Sequence, residues 1–213
     1  MRITHFGHAC LYVETDDARI LIDPGSFSSG FEDLRDLSAI AVTHQHADHV
    51  DADRFKDLVA ANPDARLFVE PDTVTELGLD SDAAFAAAST ATVGDVELAG
   101  MGGLHALNHD RVPQVGNVGL LLTSSGTTVF HPGDSYSETP DGVDVLALPL
   151  NAPWCKIQET LDFYRAVAPG VAIPIHDSLL SDLGKGMYVD HCQRFGPTDT
   201  SIERLAAGDT FDA

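Results

Sequence analysis

The stretch Thr43-His44-Gln45-His46-Ala47-Asp48-His49 decides how this chain folds and what chemistry it can carry. It follows an apolar run, Ala39-Ile40-Ala41-Val42, that is typical of a buried strand. It precedes a segment with helical spacing over residues 51–60. The histidines therefore lie in a strand-to-helix loop at the carboxyl end of a strand, where α/β folds usually hold their functional groups. Imidazole and carboxylate together suit zinc, manganese or iron, so we expect a metal site in this loop.

The order of these residues favours two neighbouring ions over one. Two histidines that are two residues apart can share one metal, and the pair Asp48-His49 just beyond can reach a second. A polar loop that is rich in histidine by accident and only caps the next helix is the alternative. The order His-x-His-x-Asp-His resembles the signature of the metallo-β-lactamase superfamily of metal-dependent hydrolases. The likeness runs from residue 3 to residue 177, and within the superfamily the chain is most similar to the ascorbate-6-phosphate lactonase-like branch.

This resemblance implies a fold and a complete set of ligands. The fold is α/β, a four-layer αβ/βα sandwich. The candidate metal ligands are His44, His46, Asp48, His49, His105, Asp134 and His176. In this arrangement the first metal is bound by His44, His46 and a third histidine, and the second by Asp48, His49 and His176. Asp134, in the run His131-Pro132-Gly133-Asp134-Ser135, is the carboxylate that bridges both ions.

The third ligand of the first metal is either His105 or His109, both of which follow a strand predicted over residues 95–99. We expect His105, because Gly102-Gly103 before it lets the backbone turn close to an ion. His109 would then lie in a loop over the site, contact the substrate or donate a proton to the leaving group. Asp48 is the other candidate for that proton transfer.

Three residues are expected to support the ligands. Asp23 ends a predicted strand and can accept the second N–H of a metal-bound imidazole, as carboxylates in such sites usually do. A plain turn residue is the alternative for Asp23. His8 follows Gly7 in a loop and is expected to line the site, and His131 to lie behind the ligands.

The predicted function is hydrolysis by a dinuclear metal centre. Two divalent ions, zinc in the first place and manganese or iron as alternatives, lower the pKa of a bound water from about 15.7 toward 7. The resulting hydroxide would cleave a small ester, lactone or phosphoester. A nuclease of the same superfamily and a non-catalytic metal-binding sensor are the alternatives. The net charge of −21, from 33 acidic and 12 basic residues, disfavours a nucleic-acid partner, and the full ligand set disfavours the sensor.

Composition limits the remaining possibilities. A length of 213 residues fits one domain over residues 1–213. Apolar runs stay well below the roughly 20 residues of a membrane span, and the first residues form a strand rather than a signal peptide. Cys10, Cys155 and Cys192 are odd in number and widely spaced, which argues against a disulfide framework. We therefore expect a cytoplasmic protein with a small-molecule substrate. The sequence predicts no oligomeric state.

Hydrophobic patterns predict the remaining elements. Strands are expected over residues 2–6, 10–14, 18–22, 66–69, 118–122, 127–130, 143–148 and 171–175. Further helices are expected after Glu70, over residues 156–168 and over residues 200–207.

Overall fold

The computed structural model describes residues 1–213 and arranges them in two mixed β-sheets with helices outside. The strands are β1 Arg2–His5, β2 Leu11–Glu14, β3 Arg19–Ile22, β4 Ala39–Val42, β5 Arg66–Val69, β6 Thr90–Val93, β7 Val96–Leu104, β8 Gly116–Ser124, β9 Thr127–His131, β10 Val145–Pro149, β11 Val171–Ile175, β12 Ser201–Ile202 and β13 Thr210–Asp212. The helices are α1 Ala52–Ala61, α2 Pro71–Leu77, α3 Ile157–Val167 and α4 Asp182–Phe195. A short 3-10 turn covers Ser81–Ala83.

The first sheet has the strand order β13-β1-β2-β3-β4-β5. Strands β1 to β3 pair antiparallel through short turns, and β3, β4 and β5 are parallel. Because β3 and β4 run in the same direction, the residues that follow them, Asp23 and Thr43, emerge at the same edge of the sheet. Helix α1 connects β4 to β5, and Asp51 caps it by accepting a hydrogen bond from the backbone N–H of Arg54.

The second sheet has the order β12-β11-β10-β9-β8-β7-β6. Strands β6 to β9 are antiparallel, whereas β9 to β12 are parallel. The carboxyl ends of β9 and β11 therefore point to one edge, and Asp134 and His176 follow them there. This edge meets the edge of the first sheet that carries Asp23 and Thr43.

Three apolar clusters hold the four layers together. The largest lies between the sheets and includes Ile20 and Ala41 of the first and Leu120 and Val145 of the second. On the outer side of the first sheet, Phe55 and Leu58 of α1 pack with Leu21 and Ile40. On the outer side of the second, Phe163 and Val167 of α3 pack with Leu146 and Leu148, together with Val189 of α4. The order helix, sheet, sheet, helix is the one that the resemblance implies.

The last third of the chain departs from the sequence prediction. The helix expected over residues 200–207 is wrong: Ser201–Ile202 is the edge strand β12, which pairs with Val171 and Ala172 of β11. The last helix is instead α4, which the sequence did not predict because Gly184 and Gly186 lower its helix propensity. No helix in the protein is both long enough and apolar enough to cross a membrane.

Candidate metal centre

The loop between β4 and α1 is folded around its own histidines. The backbone N–H groups of His49 and Val50 both donate to the carbonyl of His46, at 2.9 Å each, which closes a tight turn. This turn buries the side chains of His44 and His49 completely and leaves His46 and Asp48 partly exposed. The loop therefore presents four ligand-type side chains to one side, two deep and two near the surface.

One group of side chains contains His44, His46, His105 and Asp134, whose ligand atoms all lie within 4.8 Å of one another. His44 Nε2 and His46 Nδ1 are 3.1 Å apart, close to the separation of about 3.3 Å expected for two nitrogens on a tetrahedral zinc ion. His105 Nδ1 donates to the carbonyl of Ala106 at 2.6 Å, which leaves Nε2 free to face the group. The fold thus places in this group His105, the histidine that we expected as the third ligand of the first metal.

A second group contains His8, Asp48, His49 and His176, again within 4.8 Å. His8 Nε2 lies 3.1 Å from Asp48 Oδ2, and His176 Nε2 lies 3.4 Å from the same oxygen. His176 Nδ1 donates to the carbonyl of Asn151 at 2.8 Å, so its Nε2 faces the group. His8 was expected only to line the site, but one of its ring nitrogens is as close to this group as the ligand atoms of the other histidines.

Asp134 lies between the two groups. Its Oδ1 is 3.0 Å from His49 Nε2, and its Oδ2 is 3.3 Å from His105 Nε2 and 3.1 Å from His176 Nε2. A turn with φ of +61° at Gly133 brings it there, and a Cβ on that glycine would lie 2.3 Å from Asn117 Oδ1. A single carboxylate therefore contacts both groups, as a bridging ligand must.

Asn117 and Trp154 contact this centre although sequence patterns did not single them out. Asn117 Oδ1 accepts from the backbone N–H of Asp134 at 2.9 Å, and Asn117 Nδ2 donates to the carbonyl of Pro132. Trp154 Nε1 donates to Asp134 Oδ2 at 2.7 Å. Both residues reach the site from segments without a recognisable motif, so only their contacts in the folded chain identify them.

Asp23 lies behind the histidines and is fully buried. Its Oδ2 accepts from His49 Nδ1 at 2.7 Å and from Thr43 Oγ1 at 2.8 Å, and its Oδ1 accepts from the backbone N–H of Thr43. The Thr43 hydroxyl donates its proton to Asp23. Its oxygen therefore accepts a hydrogen bond from His44 Nδ1, 3.1 Å away. Asp23 and Thr43 thus fix the orientation of two imidazoles so that each Nε2 faces the centre.

The remaining two candidates lie apart from the ligand atoms. His131 Nε2 donates to the carbonyl of Ala9 at 2.8 Å, and its Nδ1 accepts from the N–H of Gly133, so both ring nitrogens are occupied. His109 is exposed, belongs to neither group, and its Nδ1 accepts from the backbone N–H of Arg111.

Three histidines of the centre are held neutral. Burial lowers the pKa of His44 well below its usual value, and burial also lowers the pKa of His46 and of His8. A neutral imidazole keeps one nitrogen lone pair, which is the form that binds a metal.

Two other histidines are held positive between carboxylates. Burial opposes the charge of His49, but Asp134 and Asp23 outweigh it and raise the pKa of His49. Burial likewise opposes the charge of His176, but Asp134 and Asp48 raise its pKa to about 9. Burial also opposes the charge of Asp134, yet the surrounding histidines hold the pKa of that carboxyl well below its usual range. The carboxylates thus attract cations, and metal binding there would release protons.

Buried atoms without hydrogen bonds are a further indication that the histidines and Asp134 would bind metal ions. Several buried side-chain atoms of the centre make no hydrogen bond of good geometry, although some lie within ion-pair distance of one another: His8 Nδ1, His49 Nε2, His105 Nε2, Asp134 Oδ1 and His176 Nε2. A buried polar atom without a partner costs about 1–3 kcal/mol, so native proteins rarely gather several in one place without a bound group. These atoms belong to members of the two groups, whose nitrogen and oxygen ligands suit zinc, manganese or iron.

Known proteins of similar sequence and structure include metal-dependent hydrolases. The chain matches the Beta-lactamase superfamily domain over residues 2–176. It is 39% identical to Protein Rv0786c of Mycobacterium tuberculosis, over 99% of this chain and 100% of that one. It is 26% identical to the UPF0173 metal-dependent hydrolase PF1764 of Pyrococcus furiosus, over 83% of this chain and 84% of that one. The solved structure of Igni18, a metallo hydrolase from Ignicoccus hospitalis, covers 100% of this chain and 98% of its own with a TM-score of 0.72 at 19% identity. The predicted α/β sandwich is confirmed by these likenesses.

Proposed function

The chain belongs to the metallo-β-lactamase superfamily as a metal-dependent hydrolase, and on this premise we propose that it hydrolyses a small ester, lactone or phosphoester with two divalent ions. The observation that carries the proposal is Asp134, whose two oxygens face histidines of both ligand groups. We assign His44, His46 and His105 to the first ion and Asp48, His49 and His176 to the second, with Asp134 shared. We favour zinc, with manganese or iron as alternatives.

Ions held by these residues would lower the pKa of a bound water and stabilise negative charge on the substrate. The chain's own residues then have three tasks. Asp23 and Thr43 keep the imidazoles of His49 and His44 in one orientation. Buried His44, His49 and Asp134 form the floor of the site, out of reach of bulk solvent. Asp48 has a side chain that is 22% exposed, so it lies at the mouth, where it can pass a proton to the leaving group.

His8 adds a task that the sequence did not assign. Its Nε2 lies 3.1 Å from Asp48 Oδ2, so it holds the carboxylate that would serve both as a ligand and as a proton donor. We propose that His8 orients Asp48, and that Asp48 would take a proton from the attacking water and pass that proton to the leaving group. We keep His109 as a surface residue that reaches the substrate from its loop.

The substrate class is the open part of the proposal. The net charge of −21 repels polyanions, which favours small substrates over RNA or DNA. We propose a lactone among them, which is the substrate class that the resemblance of the sequence motifs to the ascorbate-6-phosphate lactonase-like branch implies. We treat residues 1–213 as one domain and place the protein in the cytoplasm, for which its three free cysteines are suited.

The test is hydrolysis of a substrate panel by metal-free and zinc-loaded protein. The panel holds a neutral lactone, an aryl ester, an aryl phosphodiester and single-stranded RNA, and Asp134→Asn is the matched inactive control. We expect turnover of the lactone or ester that chelator abolishes and zinc restores, with two metal equivalents per chain. Cleavage of RNA alone would support the nuclease instead. Zinc binding without turnover of any of the four would support a sensor, and full activity with one equivalent would refute the shared carboxylate.

A further inference from the structure

Trp154 is the only tryptophan of the chain and lies in the loop between β10 and α3. Its indole Nε1 donates to Asp134 Oδ2 at 2.7 Å. An indole N–H can only donate, so this contact needs the carboxylate in its ionised form or at least an oxygen with a free lone pair. The hydrogen bond therefore joins a partly exposed aromatic residue directly to the carboxylate shared by both ligand groups.

The contact fixes the plane of the Asp134 carboxylate. Oδ2 lies 3.1 Å from His176 Nε2 and 3.3 Å from His105 Nε2, while Oδ1 lies 3.0 Å from His49 Nε2. Each carboxylate oxygen offers about two lone-pair sites, so Oδ2 can accept the indole N–H and still direct electron density toward a cation. Without the indole N–H, Oδ2 would lose this hydrogen bond and the carboxylate would be free to rotate about its bond to Cβ.

The position of the indole ring is set outside the metal centre. Its ring packs edge-on against Tyr136 at 4.9 Å between centroids, and Tyr136 stacks on Phe163 of α3 at 4.6 Å. The Tyr136 hydroxyl donates to the carbonyl of Pro149 at the end of β10 at 2.7 Å. The indole is thus anchored to a helix and a strand of the second sheet, which is what a group that must orient a ligand requires.

We infer that Trp154 is a positioning residue that holds the Asp134 carboxylate between the two ligand groups, and that its indole responds directly when metal binds there. This inference rests on the metal centre of the proposed function. Outer partners of metal ligands typically contribute 10–100-fold in metal affinity, so loss of the N–H should weaken zinc binding by about that factor.

Zinc titration of metal-free protein tests the inference, with calorimetry and tryptophan fluorescence recorded on the same samples. A cation bound beside Asp134 would change the electric field at the indole, so the emission should change and saturate at the same zinc equivalents as the heat. Trp154→Phe keeps a ring but removes the N–H, and its zinc affinity should fall roughly 10–100-fold with an unchanged circular dichroism spectrum. Phe195→Leu is the control, since Phe195 is an exposed ring at the end of α4 outside both ligand groups, and its zinc affinity should equal the native value.

Two results would overturn the inference while leaving the metal centre intact: heat of zinc binding without any change in emission, or native affinity in Trp154→Phe. If Trp154→Phe does not fold, the emission of the native protein alone decides. If zinc gives no heat with the native protein, the metal centre itself is wrong and the role of Trp154 falls with it.

Discussion

The protonation of His176 makes the stability of the metal-free protein depend on pH. His176 Nε2 lies 3.1 Å from Asp134 Oδ2 and 3.4 Å from Asp48 Oδ2. Burial opposes the charged ring, but the two carboxylates outweigh burial and raise the pKa from 6.5 to about 9. The folded protein thus binds this proton more tightly than the unfolded chain. The stabilisation is fully present below pH 6.5 and is lost as the pH rises through 9.

The size of the effect follows from the two pKa values. The interval from 6.5 to about 9, at about 1.36 kcal/mol per pH unit, gives roughly 3 kcal/mol of unfolding free energy. Other histidines of the centre titrate too, so the contribution of His176 must be isolated by difference. His176→Gln removes the titrating group and keeps a polar side chain of similar reach.

Urea unfolding of chelator-treated protein at pH 6, 7.5 and 10 measures this difference. The native protein should exceed His176→Gln by an amount that shrinks by roughly 3 kcal/mol between pH 6 and pH 10. His191→Gln, on α4 and outside both ligand groups, should follow the native pH dependence. A native-minus-Gln difference that stays constant with pH would refute the reasoning, because it would show that no proton is shared between His176 and the carboxylates.

Three further predictions concern the same centre. Asp134→Asn should fold, bind fewer than two zinc equivalents by metal analysis and lose more than about 100-fold in turnover. The reason is that residues outside the ligand shell already contribute roughly 10–100-fold to metal affinity or activity, and a ligand should contribute more. Normal turnover with normal metal content would show that another residue is the bridge. His105→Ala should lower zinc content and activity together, whereas His109→Ala should keep the zinc and lose mainly turnover; the opposite pattern would exchange the two roles. Gly133→Ala should cost about 1–3 kcal/mol in urea unfolding, because its Cβ would lie 2.3 Å from a side-chain oxygen at φ of +61°. Gly126→Ala, at φ of +84° with nothing within 4 Å, is the control that reports the backbone cost alone, and an equal loss in both would show that the close contact carries no cost.

The sequence predicted those strands whose apolar residues form unbroken runs. Strand β4 is Ala-Ile-Ala-Val and is buried on both faces, so its hydrophobicity alone identifies it. Strand β7 was predicted only over residues 95–99, because Gly100 to Gly103 read as a loop. In the structure the strand continues to Leu104, because its partner β8 pairs with each of these glycines. Pairing with a distant segment is invisible in a local pattern.

The clustering of the candidate ligands was predictable where these residues follow strands in a fixed order. His44, His46, Asp48 and His49 occupy one loop, and Asp134 and His176 end two parallel strands, so topology alone brings them to one edge. The contacts of His8, Asn117 and Trp154 were not predictable in the same way. Each depends on a turn or a loop whose path is set by packing across the two sheets rather than by its own residues.

The contribution of both sheets to one centre has a consequence for the order in which the chain can acquire metal. The first ligand group is complete once Asp134 has been synthesised, whereas the second needs His176, which follows β11. A nascent chain that has reached only α3 thus lacks one member of the second group. Domains generally fold as units, so a metal ion at the second group would have to wait until β11 has emerged and paired with β10. Metal binding by the second group would therefore report that the second sheet is complete.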